Sequence, residues 1–157
     1  MLHIAIRTLD GGAGAANQLI GWSKDSPGTV TVPTEITLLS GTRPGTALLR
    51  LSIDPALPSL TASAASGTLQ YFRFADAILR PLPPDPHALP LARGDAYIAI
   101  SPGALRMATG PAIARYIHMR DDFNADRLAQ GLLEFLGDQA WPVRIPEDVT
   151  VLVVEAR

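Results

Sequence analysis

Near the end of the chain, Val149 to Val154 run as five aliphatic residues broken only by Thr150, directly after the acidic pair Glu147-Asp148. A strand with one wet face alternates apolar and polar side chains, whereas this run has no polar face to offer water. It reads as the central strand of a sheet covered on both sides. Ala96 to Ser101 has the same character and predicts a second buried strand, entered through the turn Arg93-Gly94-Asp95.

Other segments are shorter and more punctuated. Leu2 to Arg7 partly alternates and predicts a first strand, followed by a loose turn through Gly11, Gly12 and Gly14. Gln18 to Trp22, Thr29 to Val32 and Glu35 to Leu39 are interrupted by Pro27, Gly28 and Pro33, the pattern of an antiparallel meander. Gly41 to Leu51, with Ala47, Leu48, Leu49 and Leu51 after Pro44, predicts a short helix ended by the two prolines within Ile53 to Pro58. Ser59 to Ala64 and Thr68 to Phe74, around Ser66-Gly67, predict a hairpin, and Ala77 to Leu82 a further strand. The proline-rich stretch from Pro81 to Pro90 reads as a surface connection. Ala104 to Met119 predicts a helix broken at Gly110-Pro111. Asn124 then caps an amphipathic helix carrying Leu128, Leu132, Leu133 and Leu136, closed by Gly137. Strands followed by C-terminal helices define an α+β fold: a reduced sandwich, mostly antiparallel sheet, with the helices on one face.

The chain of 157 residues, 47% apolar and 18% charged, suits one domain with a real core. A net charge of -2 without a basic cluster excludes a nucleic-acid or anionic-membrane surface. No apolar stretch approaches the roughly 20 residues that span a bilayer, so the expected location is cytoplasmic. The absence of cysteine removes disulfides, thiolate metal sites and cysteine nucleophiles.

Familiar catalytic signatures are missing. The early glycines lack the Lys-Ser/Thr of a phosphate loop. His3, His87 and His118 are not spaced as zinc ligands. Asp121-Asp122 precede the Asn124 cap and favour the helix N-terminus rather than catalysis. Ser40 and Ser101 lack a nucleophile elbow. Tyr71, Phe72 and Phe74 put aromatic rings on both faces of one strand, one side in the core and the other against something else, such as a second subunit.

The closing "EDVTVLVVEAR", preceded by the helix "FNADRLAQGLLEFL", resembles the ending of the bacterial type 2C-like, metal-dependent protein serine/threonine phosphatases of the SpoIIE/RsbU/RsbX-like branch. Upstream, "ITLLSGTRPGTALL" lies without gaps on that family's "IGDVSGHGLPAALL", "RGDAYIAISPG" on "PGDLLLLYTDG", and "GAANQLIG" on "GGDFYDVF". The resemblance spans residues 1–157 as a single domain.

That family holds two divalent metals through aspartates, and a metal-bound hydroxide attacks the phosphorus. On these pairings the ligand positions become Ala16, Leu38, Pro102 and Glu147, of which Glu147 alone is acidic. Asn17 offers at most a weak carbonyl. No cofactor is therefore expected, and the resemblance implies a catalytically inactive pseudophosphatase, a regulatory or protein-binding module of bacterial signalling and stress response. Arg43, after the position of the family's histidine, and Asp148 are the candidate binding residues; a guanidinium can hold a phosphate bidentately. The alternative is a divergent active phosphatase with manganese or magnesium on Glu147, Asp148, Asp54 or Asp95. By analogy the partner is a protein, such as a phosphorylated anti-sigma-factor antagonist. The bridge around 52–59 replaces a helix and strand of the family, so one sheet face is expected to be apolar and bare, to be covered in a homo-oligomer or by a partner.

Overall fold

The computed structural model describes residues 1–11, 17–23, 25, 27–40, 47–57, 59–65, 70–83, 87–120, 124–141 and 147–157. Eleven strands among them form two antiparallel sheets. The first has the order β3-β1-β11-β10-β7-β8, made of β3 (Pro27–Val30), β1 (Leu2–Leu9), β11 (Val149–Ala156), β10 (Ala96–Ile100), β7 (Gln70–Ala75) and β8 (Ile78–Pro81). The second has the order β2-β4-β5-β6-β9, made of β2 (Asn17–Ile20), β4 (Thr34–Ser40), β5 (Ala47–Asp54), β6 (Ser59–Ala65) and β9 (His87–Pro90). A 3-10 turn at Pro102–Arg106 and helices α1 (Gly110–His118) and α2 (Ala125–Ala140) complete the chain.

The central strand β11 explains the layering. Val149, Val151 and Val153 face the helices and pack with Ile113, Ile117, Leu128 and Leu132, while Leu152 and Val154 face the second sheet and pack with Ile36, Leu38, Leu49 and Leu51. Because both faces are covered, the strand carries a continuous apolar run. Its two polar residues are exceptions with partners. Thr150 lies at the rim of the inter-sheet core, and Glu155, on the helix side, accepts the backbone N–H of Ala125 at the start of α2 at 3.0 Å.

The α+β class, the first strand, both buried strands and the Asn124-capped helix stand as expected. Asn124 Oδ1 accepts the N–H groups of Asp126 and Arg127 at 3.1 and 3.3 Å. Several pairings differ. The expected meander is split: β3 pairs with β1 in the first sheet and β2 with β4 in the second. The expected hairpin is also split, since β6 pairs with β5 and β9 while β7 pairs with β10 and β8. The end of the Pro81–Pro90 connection forms β9. Gly110-Pro111 opens α1 instead of breaking a longer helix, with the Thr109 side chain accepting from Ala112. Gly137 lies within α2. Asp121-Asp122 and the Ser66-Gly67 turn lie outside the described residues.

The expected helix over Gly41–Leu51 is contradicted where it is described, because Ala47 onward is strand β5. Leu49, Leu51 and Ile53 are buried while Arg50 and Ser52 are exposed, a period of two that only a strand can satisfy. The aromatic strand needs no second subunit either: Tyr71 enters the inter-sheet core and Phe72 the sheet–helix core.

No helix among the described residues covers the outer face of the second sheet, yet that face is not uniformly apolar. Register places Glu35, Ser52 and Thr61 side by side, and next to them Thr37, Arg50 and Ser63. Leu39 and Leu48 pair in the next row and Ile20 is 52% exposed opposite Thr37, so the face is mixed rather than bare and apolar, and it gives no continuous apolar surface from which to argue a homo-oligomer.

Candidate functional site

Of the positions compared above with metal ligands, Pro102 and Glu147 lie where β2 of the second sheet reaches the end of β10 and the beginning of β11 in the first. Asn17 opens β2 and is only 4% exposed; Ser101 and Thr150 are fully buried. The Asn17 Nδ2 donates to Ser101 Oγ at 3.2 Å, to the Asp148 carbonyl oxygen at 3.1 Å and to Thr150 Oγ1 at 3.0 Å. The Thr150 N–H in turn donates to Ser101 Oγ at 2.8 Å. Asp148 directs its carboxylate at backbone, accepting the N–H of Gly11 at 2.8 Å and of Asn17 at 3.1 Å. Gly11 passes so close over the Glu147-Asp148 peptide that no side chain fits there.

Leu38, at the position of the family's bridging aspartate, is 1% exposed and packed in the inter-sheet core. Pro102 opens the 3-10 turn and has no side-chain oxygen. Glu147 forms an ion pair with Arg106 at 2.9 Å. Ala16 and Arg43 lie outside the described residues. The remaining acids do not join the cluster. Asp54 accepts the N–H of Ala56 in the turn after β5 at 2.9 Å. Asp95, at the far end of β10, accepts from Arg73 Nη2 and Ala92 N, each at 3.1 Å.

Two hard cations need several carboxylate oxygens free to turn toward them. Here one ligand position is core leucine, another is proline, Glu147 faces an arginine, and the Asp148 carboxylate already holds two N–H groups. Among the described residues no group of three or more His, Asp or Glu side chains is placed to hold a metal ion. The described side chains at these positions do not fit a two-metal centre.

The perturbed titrations lie elsewhere. Burial and then the Arg157 charge lower the His3 imidazole from its usual range. Burial raises Tyr71 to about 12, and burial together with Tyr71 raises its neighbour Tyr97 well above the usual phenol range. The two rings stack in the inter-sheet core with centroids 6.2 Å apart.

The structure brings Asn17, Pro102, Glu147 and Asp148 to one place and leaves Asp54 and Asp95, which the alternative reading grouped with the last two, in others. Sequence reasoning missed Thr150 and Gly11, and it weighed Ser101 only as a nucleophile. The available signal was polarity: Thr150 and Ser101 are the aliphatic-hydroxyl residues at the cleft ends of two mostly apolar strands.

No protein-family model matches this sequence, and neither does any curated protein. Solved structures do match, several of them phosphatase domains. The chain has the two-sheet α+β fold of type 2C protein serine/threonine phosphatases. The phosphatase domain of the cell-fate determinant SpoIIE from Bacillus subtilis is 14% identical, with a TM-score of 0.71 over 98% of this chain and 92% of that one. The PP2C domain of SiaA from Pseudomonas aeruginosa is 11% identical, with a TM-score of 0.72 over 98% and 86%. PppA, a regulatory component of T6SS in Pseudomonas aeruginosa, matches at a TM-score of 0.58 and 15% identity over 74% of this chain, which spans 60% of PppA.

Proposed function

We propose that this chain is a pseudophosphatase, a phosphatase-fold module that hydrolyses nothing and acts by binding another protein in bacterial signalling, within the cytoplasm. The observation that carries the reading is Leu38. At the position where the fold's relatives hold an acidic ligand, an aliphatic side chain is 1% exposed and enclosed by apolar neighbours. No rotation of that residue supplies charge to a cation.

Protein binding is favoured by the company the fold keeps. PppA is described as a regulatory component and SpoIIE as a cell-fate determinant. A phosphorylated anti-sigma-factor antagonist is the proposed partner, with Arg43 and Asp148 as its contacts; Asp148, however, is engaged by backbone donors, which leaves Arg43 to carry the phosphate. No helix among the described residues is long and apolar enough to cross a membrane.

The active-phosphatase alternative would need a metal site assembled from Glu147, Asp148, Asp54 or Asp95, and among the described residues no group of three or more such acids is placed to hold an ion. Calorimetric titration with manganese and magnesium, followed by hydrolysis of a generic phosphate ester in the same buffer, decides between the two. The proposal expects neither binding nor turnover; two tightly bound ions with turnover would sink it.

A further inference from the structure

We infer that the Asn17 carboxamide stands in for a bridging cation, clipping the two sheets together so that this chain needs no metal to close its fold. The inference rests on the lost metal centre proposed above and adds what replaced it.

The four ligand positions of the resemblance divide between the sheets. Ala16 directly precedes β2 and Leu38 lies in β4, whereas Pro102 follows β10 and Glu147 precedes β11. A cation held by such positions would join the second sheet to the first at this edge. Asn17 joins the same elements, from β2 to the end of β10 and the start of β11. Its Nδ2 lies 3.2, 3.1 and 3.0 Å from three oxygens, which converge on one nitrogen much as ligands converge on an ion. An amide nitrogen carries two hydrogens, so one is shared among the three acceptors. The Asp148 carbonyl can only accept, which assigns the nitrogen rather than the oxygen to this position. The Asn17 backbone adds a fourth link through its N–H to the Asp148 carboxylate.

The other amide atom, Asn17 Oδ1, is buried without a hydrogen-bond partner among the described residues. In an aspartate both terminal atoms would be anionic oxygens; the Ser101 and Thr150 hydroxyls could turn to donate to them, but the Asp148 carbonyl, which can only accept, would face negative charge with no hydrogen between. A divalent cation would relieve that contact, because carboxylate, carbonyl and hydroxyl oxygens are its ligands. Asn17→Asp should therefore convert a metal-free join into a cation-dependent one.

The test is thermal unfolding of the full chain, with and without the substitution, in EDTA and in millimolar manganese chloride. The unaltered chain is expected to unfold at one temperature in both. Asn17→Asp should unfold about 5 °C or more lower in EDTA and recover in manganese. Manganese raising the midpoint of the unaltered chain, or Asn17→Asp matching it in EDTA, or Asn17→Asp staying low in manganese, would each overturn the inference. Should Asn17→Asp fail to fold in EDTA, refolding in manganese supports the clip, and failure in both overturns it. Amide exchange in the unaltered chain is the second readout: the Asn17 and Thr150 amides should be equally protected in EDTA and manganese, and added protection in manganese counts against it. The two readings fail separately. Turnover by the unaltered chain ends the pseudophosphatase reading, whereas a chain without turnover whose Asn17→Asp form is unperturbed loses only the clip.

Discussion

A Cβ placed on Gly103 would stand 2.7 Å from the carbonyl oxygen of Asp148 and 3.3 Å from the Glu147 Cβ. The turn after β10 and the approach to β11 are thus pressed together at the edge of the cleft, and the glycine is there because nothing larger fits. Gly103→Ala must push two backbones apart. A loss of about 1–3 kcal/mol is expected from such overpacking, read as a lower denaturant midpoint with an unchanged slope.

Leu38 gives the second prediction. It pairs with Leu19 on one side and Leu49 on the other, and its side chain fills the inter-sheet core. Leu38→Ala should cost about 2–5 kcal/mol by leaving a cavity. Leu38→Asp, which writes the family's acid back into the sequence, should be worse than Leu38→Ala in equilibrium unfolding, since it buries an unpaired charge in that core. An aspartate variant as stable as the alanine variant would mean that the position opens to water and that the cleft is less closed than described.

How far such positions were legible beforehand depends on what set them. The run from Val149 to Val154 and the leucine spacing of α2 were readable because periodicity reports burial directly. Strand partners were not. Several sequence-adjacent strands here lie in different sheets, so β2 and β3, or β6 and β7, look like hairpins locally and are separated by tertiary packing. Leu48 to Leu51 reads as a helical cluster until Arg50 and Ser52 are recognised as one exposed side of a strand. At the site, the loss of acids at Leu38 and Pro102 was visible in the letters. The role of Asn17 was not, because its three acceptors come from residues 84 to 133 positions away. Glu155 was likewise unreadable as a cap for α2, its partner Ala125 lying 30 residues earlier.

Glu147 makes a third case, since it is the one acid left among the compared ligand positions. Its ion pair with Arg106 is on the surface, the arginine being 62% exposed, and exposed pairs contribute little. Glu147→Gln should shift stability by no more than about 0.5 kcal/mol and leave calorimetric titrations with manganese unchanged. A measurable loss of manganese binding in that variant would restore Glu147 as a ligand and favour the active alternative.

The buried tyrosine pair sets the alkaline limit of the fold. Tyr71 is raised to about 12 and Tyr97 further in the same direction, because burial disfavours the phenolate. Unfolding returns both to the ordinary range near 10, so at high pH the unfolded chain holds fewer protons than the folded one. Their contribution is fully present below about pH 10 and is lost as pH rises through about 12 for Tyr71. Few other groups blur that window, Lys24 being the only lysine in the chain. Denaturant unfolding measured from neutral pH upward should therefore show stability falling above about pH 10. Tyr71→Phe, which keeps the ring and its stacking but cannot ionise, should flatten part of that fall; an unaltered alkaline profile would mean that Tyr71 ionises as readily folded as unfolded, against its burial between the two sheets.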